Sequence, residues 1–83
     1  MIFKEGDLVT FEDNSKVLVI KALIFEGTEY VYVSEVKEDE SDLIENYKIM
    51  TVHNEDGTLE KVLDLNLLEK LSPLFFEMLT NEE

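Results

Sequence analysis

The chain has 83 residues, enough for one domain and no second, and a core of that size hides only about 60% of the surface that the unfolded chain exposes. Twenty Asp and Glu against seven Lys, with no Arg, leave a net charge of −13, which argues against direct nucleic-acid binding because a phosphate backbone is neutralised by clustered basic side chains. Cysteine is absent, which excludes a disulfide framework, a thiolate zinc site and a catalytic thiol, while 45% hydrophobic residues supply material for a globular core.

In chain order, Gly6-Asp7 reads as a turn feeding a short strand, Leu8 to Phe11, rich in β-branched and aromatic residues. Glu12 to Ser15 is a turn cluster whose Asp and Asn side chains bond their own backbone. Lys16 to Phe25 follows as a strand that is apolar on both alternating sets. Val17, Val19 and Leu23 form one set, and Leu18, Ile20, Ala22 and Ile24 the other. Such a strand is central and covered on both faces. Glu26-Gly27 offers the positive φ of a tight hairpin, through a two-residue turn or a three-residue turn with a bulge, and Thr28 to Val36 returns as the partner strand.

Lys37 to Asp42 is a charged loop with no apolar side chain to bury. Leu43 to Val52 is the fourth strand candidate. The turn His53 to Thr58 contains Asp-Gly, a strong hairpin signal, and leads into Leu59 to Leu63 as the fifth. A helical tail begins at Asp64 or Asn66 as N-cap, with Glu69 three residues past Asn66 as a capping box requires. Ser72-Pro73 looks like a second helix start, with Leu71 and Phe76 spaced as a hydrophobic staple, so the tail is a kinked helix or two short ones. Its apolar side, Leu65, Leu68, Leu71, Leu74, Phe75, Met78 and Leu79, is wide.

Little in these residues points to chemistry. His53 is the single histidine and sits in a turn, without the second rigidly held group that a general base or metal site needs. The acidic run Glu38, Asp39, Glu40 and Asp42 lacks the alternation, central Gly and terminal Glu of a calcium loop. No Ser-His-Asp or Cys-His set can be assembled, and no glycine-rich loop cradles a phosphate. Tyr30, Tyr32 and Tyr47 read as core and sheet-surface packing rather than a base-stacking platform, which would need a basic funnel. The expectation is therefore a non-enzyme with no cofactor and no metal.

The order of features also resembles a known family. A Gly-Asp-Leu-Val opening is followed by an aliphatic strand ending in Phe25-Glu26-Gly27-Thr28-Glu29-Tyr30 and by an acidic loop. Then come the strand Tyr47-Lys48-Ile49-Met50, the turn Asn54 to Gly57 and a leucine-rich helix. This is similar to the YrzB-like family of small acidic Firmicutes proteins, a domain of unknown function, over roughly residues 9–78. The resemblance implies a compact β-rich domain from a low-GC Gram-positive bacterium or its phage, and it carries over no catalytic residue. The opening Gly6 to Val9 also resembles SH3-like small barrels.

Together these readings predict an α+β or mainly β fold in a single domain, residues 1–83. About five antiparallel strands, within about 8–63, form a curved sheet or small SH3-like barrel, with a helical tail at about 64–80. Neither a signal peptide nor an apolar run near the ~20 residues of a membrane span is read, so a cytoplasmic protein is expected. The expected function is a non-catalytic protein-interaction module. The alternative is an acidic inhibitor that mimics nucleic acid and occupies the basic surface of a DNA- or RNA-binding protein. Candidate interaction residues are Glu38, Asp39, Glu40 and Asp42 of the acidic loop and Phe75 and Phe76 of the tail. One tail covers only one face of the Val17 to Phe25 strand, which leads to the expectation of a homodimer.

Overall fold

The computed structural model describes residues 2–36 and 43–80. Five strands, β1 (Leu8–Thr10), β2 (Lys16–Phe25), β3 (Thr28–Val36), β4 (Leu43–Val52) and β5 (Leu59–Lys61), are followed by one helix, α1 (Leu65–Thr80). The strands pair antiparallel with their chain neighbours in the order β1-β2-β3-β4-β5, forming a curled half-barrel. β1 and β5 remain edges and do not close on each other, which separates the fold from a closed SH3-like barrel. The acidic residues Glu38, Asp39, Glu40 and Asp42 lie outside the described residues.

Short local signals set the meander. Glu26 and Gly27 both have positive φ, 51° and 81°, and Phe25 pairs directly with Thr28, so the β2–β3 connection is the two-residue turn whose twist matches that of its strands. The β4–β5 connection is longer than an Asp-Gly pair alone. The His53 N–H donates to the Thr58 carbonyl at 2.9 Å and the Gly57 N–H to the His53 carbonyl at 2.7 Å, with Gly57 at φ 72°. Asp13 and Asp56 build the same small device in their respective turns. Each carboxylate accepts the backbone N–H and the hydroxyl of the residue two further on, Ser15 at 3.0 and 2.6 Å and Thr58 at 3.1 and 2.8 Å.

The sheet carries a hydrophobic core on each face. One, inside the curl, is made of Val17, Val19, Ala22, Val31, Val33, Met50 and Val52, with Phe3, Val9, Phe11 and Leu59 packed against it. The other lies under α1 and consists of Tyr30, Ile49, Val62, Leu71 and Phe75, flanked by Leu23, Phe25, Tyr32 and the inner side of the helix. The pairing shifts between Val19, which faces Val33, and Lys21, which faces Tyr32, so Ile20 is an extra residue in a β-bulge. Strict alternation through β2 therefore fails. Ala22 joins Val17 and Val19, whereas Leu23 turns to the helix side. Lys21 beyond the bulge is buried, with its Nζ 2.9 Å from the Glu5 carboxylate.

The second face of β2 is covered within the chain itself. The sheet curls over it, and the N-terminal segment packs Phe3 against that core, held by Glu29. That buried carboxylate accepts the N–H groups of Ile2 at 2.7 Å and Phe3 at 2.9 Å. The homodimer argued from an uncovered strand face thus loses that premise.

Candidate interaction site

α1 is one continuous helix from Leu65 to Thr80, with Pro73 inside it. Asp64 is the N-cap: its side-chain oxygen accepts the Asn66 N–H at 2.9 Å and the Leu67 N–H at 3.4 Å, while its carbonyl receives the first helical bond, from Leu68, at 2.9 Å. Ser72 therefore does not start a second helix. Pro73 removes the donor for the Glu69 carbonyl, but both residues are exposed and water can serve that carbonyl.

The helix buries Leu71 and Phe75 completely against the sheet, with Leu67, Leu68, Leu74 and Met78 half-buried beside them. Phe75 stacks on Tyr32 at 5.7 Å between ring centroids, and Tyr32 stacks on Tyr47 at 5.6 Å. This aromatic row runs from the helix across β3 to β4. Phe75 and Tyr32 of this row floor a groove of about 670 Å³ between α1 and the β3–β4 surface, bordered by Ile49, Leu65, Leu68, Phe76 and Leu79. Glu69 is the one charged residue on its wall. A smaller hollow of about 330 Å³ continues it past Tyr47, Lys48, Lys61 and Val62.

Large apolar side chains stand open at this groove. Phe76 is 67% exposed and Leu65 74%, and Tyr47 at the far end is 48% exposed. Burying apolar area is the main source of both folding and association energy, and these side chains leave such area open to solvent. β5 also pairs only with Met50 to Val52, leaving the outer edge of β4 from residue 43 to 48 without a strand partner among the described residues.

The two phenylalanines singled out from the sequence separate here. Phe75 is core and forms the floor of the groove, and Phe76, one position on, is its exposed rim. Tyr32, Ile49 and Leu65, which also line the groove, are not singled out as interaction residues by the sequence reading. The available signal was the width of the helical apolar side, greater than one sheet face can cover.

Other candidate chemistry stays weak. His53 Nε2 lies 2.8 Å from Glu60 Oε1, but both side chains are exposed. Among the described residues no group of three or more His, Asp or Glu is placed to hold a metal. Exposed carboxylates are distributed around the molecule: Glu12 and Asp13 at one end of the sheet, Glu26, Glu55 and Asp56 at the other, Glu69 and Glu77 on the helix. No helix among the described residues is long and apolar enough to cross a membrane. No protein family, curated protein or solved structure matches this chain.

Proposed function

We propose that the chain is a non-catalytic protein-interaction module that binds through the groove between α1 and the β3–β4 surface. One observation carries this reading: Phe76 and Leu65, both mostly exposed, border an apolar groove of about 670 Å³ that has a single charged residue on its wall. Catalysis needs converging polar groups, and the polar side chains here are Tyr32, Glu69 and Ser72, with no histidine among them. The net charge of −13 has a supporting role, keeping so exposed a patch from indiscriminate association. A nucleic-acid mimic would gather its carboxylates on one face, whereas these occupy both ends of the sheet and the helix. Likeness to the YrzB-like family is proposed on the same footing and adds no activity.

The test is retention of binding partners on immobilised protein at low and at ~0.5 M salt, with wild type beside Phe76→Lys. Apolar docking predicts retention at high salt and its loss in the variant. Retention that disappears with salt and ignores the substitution overturns the groove reading in favour of the mimic.

A further inference from the structure

Ser72 stands at the middle of a pattern on α1 that reads the same in both directions. Leu68 lies four residues before it and Phe76 four after; Leu65 lies seven before and Leu79 seven after. All five line the groove. At 3.6 residues per turn they fall within a strip about 80° wide, beside the strip of Leu67, Leu71, Phe75 and Met78 that packs on the sheet.

We propose that the occupant of the groove is a second copy of this chain, docked antiparallel along α1 about a twofold axis through Ser72. This rests on the reading of the groove as an interaction site. A twofold interface must be complementary to itself, and this strip is. The axis sets Leu65 against Leu79 of the second copy and Leu68 against its Phe76, so each Phe76 enters the groove of the other chain over Tyr32 and Ile49. Ser72, small and exposed, sits at the closest approach and lets the helices come to the short end of the 8–10 Å range of packed helices.

The area is of the right size. From their exposed fractions, Leu65, Phe76 and Tyr47 leave on the order of 400 Å² open, and half-exposed Leu68, Leu79 and the groove floor extend this toward the ~800 Å² per partner of a standard interface. Charge does not forbid it, since Glu69 alone is charged on the groove wall and repulsion between charges elsewhere is screened over about 8 Å at 0.15 M salt.

Sedimentation equilibrium from about 5 to 500 µM in 0.15 M salt tests the pairing. Wild type is expected to pass from monomer to dimer in that range, and Phe76→Lys to weaken association about 100-fold with an unchanged circular dichroism spectrum. Because the chain has no cysteine, a Ser72→Cys variant should oxidise to a disulfide-linked dimer while Glu26→Cys, in the β2–β3 turn and outside the groove lining, stays monomeric. A dimer that survives Phe76→Lys, or equal cross-linking at both cysteines, overturns the proposal. A wild type monomeric at 500 µM overturns it too; if Phe76→Lys still abolishes capture of a different protein, the groove stands as a docking site and only self-pairing fails. Without such a protein, both readings fail.

Discussion

Glu29 and Phe3 are joined across 26 positions of sequence by one hydrogen bond, the Phe3 N–H donating to the Glu29 carboxylate at 2.9 Å. The other oxygen takes the Ile2 N–H at 2.7 Å, and the residue is 3% exposed. A carboxylate buried in a strand is unfavourable unless its lone pairs are satisfied, and here the N-terminal backbone satisfies them. The same two bonds bring Phe3 onto the core inside the curl. Glu29 thus ties the N-terminal segment to the core inside the curl.

Replacing Glu29 with Ala should therefore cost more than a typical surface change. Two charge-assisted bonds are lost and the Phe3 cover is released, together about 2–4 kcal/mol. Urea unfolding measures this directly. A loss under ~0.5 kcal/mol would show that the N-terminal segment does not contribute to the fold.

Phe75 and Phe76 offer an internal comparison, being adjacent in sequence and about 100° apart on the helix. Phe75 is 1% exposed and stacked on Tyr32, so Phe75→Ala should cost roughly 3–5 kcal/mol, close to the whole stability of so small a domain. Phe76→Ala should stay within about 0.5 kcal/mol in the monomer. Equal costs would mean that the helix is rotated from the orientation described.

Much of this architecture is legible in the sequence because its signals are local. Turn residues at Asn14, Gly27 and Gly57 punctuate the strands, and the helix start is legible as Asp64 or Asn66, with the side-chain bonds of Asp64 deciding between them. The bulge at Ile20 is not legible: no Gly or Pro marks it, yet one inserted residue reverses the facing of everything after it, which misassigned Ala22 and Leu23. Glu29 was equally hidden, since a carboxylate in a strand reads as solvent-facing until its distant partner is known. The groove was half legible. Its helical wall lies in the 3–4 spacing of α1, but its floor depends on the pairing of Tyr32 with Ile49 across β3 and β4.

Glu26 occupies the first position of the β2–β3 turn at φ 51°, a left-handed conformation disfavoured for a residue with a long side chain. Asn accepts that conformation readily and is the preferred residue before Gly in such turns. Glu26→Asn is expected to stabilise the protein by about 0.5–1 kcal/mol, and Glu26→Gln, which removes the same charge, by less. Equal gains from both would assign the effect to charge and not to backbone.

Charge itself gives a salt prediction. Twenty carboxylates against seven lysines repel within a compact molecule, so the melting temperature should rise as salt is raised to ~0.5 M and the repulsion is screened. A melting temperature that falls over this range would mean that ion pairs such as Lys21–Glu5 outweigh the repulsion.

Acid should act in two opposed ways, separable by residue. Protonating the carboxylates in bulk relieves repulsion and favours the fold. Asp13 and Asp56 run the other way. The Ser15 hydroxyl and then its N–H hold the Asp13 carboxyl below the ordinary aspartate range, and the Thr58 hydroxyl and N–H do the same for Asp56. A carboxylate whose affinity for a proton is lower folded than unfolded adds stability above its unfolded value and loses it as pH falls through the folded one. The contribution of both turns is therefore complete at neutral pH. It declines from the ordinary aspartate range downward and is gone below the depressed values. Carboxyl chemical shifts followed from pH 7 into strong acid should place both midpoints below those of an unfolded peptide of the same sequence. Asp13→Asn and Asp56→Asn should each flatten that part of the stability profile. Midpoints at or above the peptide values would show that the two hydrogen-bonded turns do not persist in solution.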